Sequence, residues 1–119
     1  MLFRSLLAAI PALLLCESAV AVGYYCDGKV TQVGLNNGDG RLWVSYGSIG
    51  WQQICAIGGA VNGVQADSCR GWLSLLLSAQ AQDRTVRFYY YSDTPGNPAS
   101  CAGFQSWGTY SPYFVHTVD

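Results

Sequence analysis

The chain predicts an all-β domain that carries one helix, in the order β-β-β-α-β-β. Two segments alternate apolar and polar residues as strands do: Leu42, Val44 and Tyr46 against Trp43 and Ser45, and Val86, Phe88 and Tyr90 against Arg87, Tyr89 and Tyr91. One segment has the helical period instead: Cys69, Trp72, Leu73 and Leu76 fall at i, i+3, i+4 and i+7. Turn-forming clusters separate these segments, and 119 residues with half of them apolar and 11% charged make one folded domain rather than a disordered chain.

The first 21 residues stand apart from that domain. Arg4 opens a basic start, Leu6 to Leu15 is an apolar run interrupted by Pro11, and Ala19-Val20-Ala21 has the small-x-small form of a cleavage site. This is the pattern of a secretory signal peptide cut after Ala21, which predicts export to the periplasm or the medium. The run is too short to span a bilayer as a helix. A lipid-bearing Cys16 is the weaker alternative, because Leu15 stands where a small residue is needed. Residues 22–119 then form the single domain.

In the domain, residues 28–35 read as the first strand, with Val30 and Val33 breaking strict alternation as a bulge does. Asn36-Asn37-Gly38-Asp39-Gly40 is a turn, 42–46 the second strand, and 51–57 the third, with Ile54 and Ala56 on one face and Cys55 on the other. After a Gly-rich connector, Asp67 or Ser68 caps a helix over 68–82. Thr85 to Tyr91 is the strongest strand by composition. Residues 92–109 form a long loop, of the kind that is functional or pinned, and 113–118 a closing strand. This connectivity is that of a five-stranded OB-type barrel, in which the loops 36–40 and 92–109 frame a ligand site; a different five-stranded α+β roll shares the same order.

Four cysteines remain after cleavage: Cys26, Cys55, Cys69 and Cys101. An even number in a small exported chain predicts disulfides. Three pairings are open. We favour Cys55–Cys69, which closes a short loop, and Cys26–Cys101, which ties the first strand to the long loop. No CxxC or CxH spacing supports a metal site, and neither a metal nor another cofactor is expected. Net charge is −1 without a basic cluster, which argues against nucleic acid as a partner.

Catalysis finds little support. His116 is the only histidine and reads as an outward-facing residue of the last strand, opposite Tyr113 and Val115. No glutamate remains in the domain, and no phosphate-cradling glycine motif occurs. The aromatic residues are in excess: four Trp, eight Tyr and four Phe, of which only Phe3 leaves with the signal. Trp72 belongs to the apolar row of the helix. Trp43, Arg87, Tyr89, Tyr91, Trp107 and Tyr110 are the candidate ligand-binding residues, since rings with a polar handle give contact area at low entropic cost. The same rings are equally suited to filling a small barrel.

The residues so assembled resemble a group of small secreted bacterial proteins of unknown function. The pattern comprises Cys26-Asp27-Gly28-Lys29-Val30, Cys55, Cys69-Arg70-Gly71-Trp72 with Leu76 and Ala79, Val86-Arg87-Phe88-Tyr89-Tyr90, Cys101 and Pro112-Tyr113. More distantly the chain resembles the B subunits of subtilase-cytotoxin and typhoid-toxin type. That resemblance implies an OB barrel, a pentameric ring and sialylated glycans as ligands, but no sugar-contacting residue carries over. The expected function is a non-catalytic binding domain for a glycan or a protein surface. The alternatives are a ring-forming assembly subunit of an exported complex and a small secreted enzyme or inhibitor.

Overall fold

The computed structural model describes residues 23–118. The expected signal peptide, its cleavage site and Cys16 lie outside them. The strands are β1 (Gly23–Leu35), β2 (Arg41–Tyr46), β3 (Ile49–Ala56), β4 (Thr85–Tyr91), β5 (Gly108–Thr109) and β6 (Phe114–Thr117), with the helix α1 (Ala66–Ala81) between β3 and β4. They form one sheet in the order β5-β3-β2-β1-β4-β6.

This sheet corrects the expected architecture. A five-stranded OB barrel closes through one last strand that pairs on both sides. Here that stretch is two short strands, β5 parallel to β3 and β6 antiparallel to β4, and among the described residues no ladder joins β5 to β6. Residues 110–113 cross between the two edges without strand structure, the Tyr110 N–H bonding the Gln53 carbonyl at 3.0 Å and the Tyr113 N–H the Tyr89 carbonyl at 2.9 Å. Pro112, with no N–H to give a ladder, sits in that crossing. The sheet is therefore open and six-stranded. This topology overturns the resemblance to small secreted proteins of OB-like fold and, more distantly, to the toxin B subunits, together with the carbohydrate recognition read from that barrel.

Most elements lie close to their expected places. β1 starts five residues earlier than expected, because its first half, Gly23 to Lys29, pairs with β4 while its second half, Val30 to Leu35, pairs with β2. The expected bulge is there: the register shifts between Val30 and Gln32. A second shift, opposite Ile54, undoes the predicted alternation of β3, and Ile54, Cys55 and Ala56 are all buried. The helix starts two residues before the predicted span, with Gln65 as its N-cap and no side-chain cap, so Asp67 and Ser68 lie inside its first turn; Asp67 pairs with Arg70 instead. The alternation of β4 is as predicted, with Val86, Phe88 and Tyr90 buried.

The core gathers Leu42, Val44, Tyr46, Ile54, Leu76, Val86, Phe88 and Tyr90. Tyr46 stacks on Phe88 at 4.2 Å between centroids. The two buried phenols are satisfied in series: Tyr90 donates to Gln52 Oε1 at 2.9 Å, and Tyr46 donates to the Tyr90 oxygen at 2.7 Å. Burial raises both phenol pKa values, so both stay protonated donors. The favoured cysteine pairing is present, as Cys26–Cys101 and Cys55–Cys69. The second holds the start of the helix to β3, where both cysteines are fully buried.

Candidate functional site

The long loop 92–109 decides where the site forms. Asn97 pins its start, donating to the carbonyls of Tyr91 and Ser111 and accepting from the Ser111 N–H. The Tyr24 hydroxyl donates to the Pro98 carbonyl at 2.6 Å, and Cys101 is bonded to Cys26 in β1. Phe104 packs on Tyr90 at 4.8 Å and edge-on to Tyr110 at 4.7 Å. The loop then lies against β3, where Ser106 covers Gly50 so closely that a side chain at Gly50 would collide with it. The Trp107 N–H donates to the Trp51 carbonyl at 2.7 Å.

These anchors set Trp107 down beside two other tryptophans. Its ring stacks on Trp51 at 5.7 Å and 23°, and meets Trp43 at 5.6 Å with a tilt of 60°. With Gly34, Leu35 and Asn36 the three rings line a cleft of about 420 Å³. The Trp43 Nε1–H donates to Asn36 Oδ1, which fixes the ring and the turn residue together. Among the described residues no charged side chain lines the cleft. Gln53, the cross-strand partner of Trp43, is 4% exposed and its Nε2 has no hydrogen-bond partner among the described residues. A donor left unpaired in this way costs about 1–3 kcal/mol.

Trp107 is the unusual residue of the cleft. Its backbone φ is +69°, a region that non-glycine residues seldom enter, and the residue is 66% exposed. Holding a residue there costs on the order of 1–3 kcal/mol, and such strain gathers at binding and catalytic sites. Gly108 follows immediately, and the Tyr110 ring occupies the space where a Gly108 side chain would stand.

The structure divides the six sequence-predicted site residues into three groups. Trp43 and Trp107 meet in the cleft, where the loops 36–40 and 92–109 come together. Arg87, Tyr89 and Tyr91 lie on a separate face formed by β1, β4 and β6. Tyr110 is 8% exposed, and its hydroxyl both accepts from the Gln105 N–H and donates to the Gln105 carbonyl, so it serves the packing of the loop. Trp51 and Gly34 escaped prediction. Strand alternation was the available signal for Trp51, since in the β2–β3 hairpin it shares a face with Gln53, the partner of Trp43.

On the tyrosine face, Arg87 binds Asp27 through both carboxylate oxygens, at 2.7 and 2.8 Å, and lies over the Tyr25 ring at 4.0 Å. The hydrogen bonds from Arg87 hold the Asp27 carboxyl below the usual carboxylate range. Tyr89 packs against Tyr25, Tyr113, Phe114 and His116. His116 Nδ1 donates to the Thr117 carbonyl at 2.8 Å, so in the neutral ring Nε2 accepts from the Tyr89 hydroxyl at 3.0 Å. The histidine is thus engaged on both nitrogens.

No family model matches the chain, and no curated protein matches it. Among the described residues no group of three His, Cys, Asp or Glu side chains is placed to hold a metal ion. Likewise, no helix among them is long and apolar enough to cross a membrane.

Proposed function

We propose that this protein is an exported, non-catalytic binding domain that recognises a protein surface through Trp43, Trp51 and Trp107. The carrying observation is Trp107, held exposed at a positive φ beside two further indoles. Folding alone gains little from a solvent-exposed ring in a strained backbone. A ligand that buries the ring gains much, because tryptophan is among the commonest energetic anchors of protein interfaces. Export is supported by the signal-like residues 1–21 and by the two disulfides, which persist in oxidising compartments.

Panning a random peptide library on the oxidised protein and on Trp107→Ala tests the reading. Peptides selected by the parent and not retained by Trp107→Ala are the expected result. Selection of no peptide, or only of peptides that both proteins hold equally, overturns it.

A second reading, a self-assembling subunit, has its own observation. Tyr25, Tyr91, Tyr113 and Phe114 are all exposed on the tyrosine face, next to β6, whose outer edge is unpaired among the described residues. Exposed strand edges invite pairing with another chain. Size-exclusion chromatography with light scattering decides: a concentration-dependent oligomer that Phe114→Lys dissolves supports this reading, and a strict monomer removes it.

A further inference from the structure

We propose that the tryptophan cleft takes a proline-rich segment of a partner protein in the polyproline II conformation. This rests on the binding reading above and names its ligand class. The first ground is charge: with no charged side chain in the lining, an ionic ligand would lose its hydration without a counter-charge. The second is the hydrogen-bond inventory. Asn36 Oδ1 already receives the Trp43 N–H, which leaves the Asn36 amide as a donor. The indole N–H groups of Trp51 and Trp107 have no protein acceptor among the described residues, and indole is a donor only. The side chains of the cleft thus offer apolar rings and more donors than acceptors, since Oδ1 of Asn36 already takes one bond from Trp43.

A proline-rich chain is the complement of that set. Each proline lacks an N–H and keeps its carbonyl, so the segment accepts without donating. Polyproline II has no internal hydrogen bonds, and its carbonyls point outward to solvent or to a partner's donors. Pyrrolidine rings pack on indole faces, and the stiff helix loses little entropy on binding. An ordinary extended peptide would bring a backbone N–H at every residue to side chains that offer more donors than acceptors. The rigid mounting of Trp107, by its N–H bond to the Trp51 carbonyl and the Tyr110 ring behind Gly108, is what a preorganised aromatic groove requires.

The test is titration of the oxidised full-length domain with an acetylated proline decamer, read by the indole N–H resonances in ¹⁵N-correlated NMR. A Gly-Ser decamer and a neutral hexasaccharide serve as comparison probes. The Trp51 and Trp107 indole signals are expected to shift saturably with the proline decamer and not with the other two. Trp107→Ala is expected to weaken binding roughly tenfold or more, as loss of an interface anchor does. Asn36→Asp retains the acceptor for Trp43 while removing the amide donor, and is expected to weaken binding several-fold even if Trp107→Ala folds poorly. Absence of a saturable shift with the proline decamer overturns the proposal, as does a saturable shift with the hexasaccharide alone. An unchanged affinity in Asn36→Asp overturns the donor assignment on which it stands. If library panning yields Trp107-dependent peptides without proline, the binding reading holds and only the proline assignment falls.

Discussion

The tryptophan cleft and the tyrosine face use the same class of side chain on different supports. The tyrosines stand on β1, β4 and β6, whose ladders run through Tyr25↔Tyr89, Asp27↔Arg87 and Tyr89↔Phe114. Their polar groups find partners within the face: Arg87 with Asp27, Tyr89 with His116. The cleft instead depends on Trp107, which no regular strand holds and whose position comes from a disulfide, a few hydrogen bonds and two close glycine contacts. On the tyrosine face the charged and polar groups of Arg87, Asp27, Tyr89 and His116 pair with one another, whereas in the cleft the indole N–H groups of Trp51, on β3, and of Trp107, on the anchored loop, have no protein acceptor among the described residues. The second arrangement is the better candidate for a ligand.

The strongest way to break the comparison is to untie the loop. Replacing Cys26 and Cys101 with serine removes a link across 75 residues of chain, and should cost about 2–5 kcal/mol in denaturant unfolding. Below the transition, the Trp107 indole resonance should lose its ring-current shift while the strand amides of β1 and β4 keep theirs. Equal loss on both faces would show that they fold as one unit.

Gly108→Ala is the next largest. Its new Cβ would stand 2.6 Å from the Tyr110 ring, and relieving that overlap should cost roughly 1–3 kcal/mol in thermal or urea unfolding. The perturbation should appear in the tryptophan fluorescence and not at Tyr25 or Phe114.

Trp107→Gly should have a small effect on stability and a large one on binding. Glycine relieves the positive φ while giving up the stacking on Trp51, so stability should stay within about 1 kcal/mol of the parent. Loss of several kcal/mol would mean that Trp107 is there to hold the fold, and would remove it as the binding anchor.

The smallest effect is one of pH, and it should be confined to the tyrosine face. The Asp27 carboxyl titrates lower in the folded than in the unfolded chain. Its contribution to stability is therefore full above the unfolded value, about 4, and is lost as pH falls through the lower folded value. Unfolding followed from pH 6 to pH 2 should show this dependence, and Asp27→Asn should remove its share. The cleft, with no titratable side chain in its lining, should keep its indole shifts over the same range until global unfolding.

Much of this molecule could be read from the chain alone, for local reasons. Alternation along 85–91 fixes which side of β4 is buried, since successive side chains must point to opposite faces. The period of Cys69, Trp72, Leu73 and Leu76 marks the helix, and the even cysteine count marks the disulfides. Local chemistry misled at the helix start, where Asp67 and Ser68 look like caps but the chain enters the helix earlier, at Gln65.

What the tertiary structure alone decided were the non-local matters. Sheet closure depends on whether one segment pairs with two distant strands, and residues 110–113 cross the gap without pairing to either as a strand. The separation of Trp43 and Trp107 from Arg87, Tyr89 and Tyr91 depends on where an 18-residue loop is pinned. Periodicity reports the side of an element a residue occupies. It holds no information about which elements meet, because that is set by contacts such as Cys26–Cys101, Ser106 on Gly50 and the Trp107 N–H on the Trp51 carbonyl, between residues far apart in the chain.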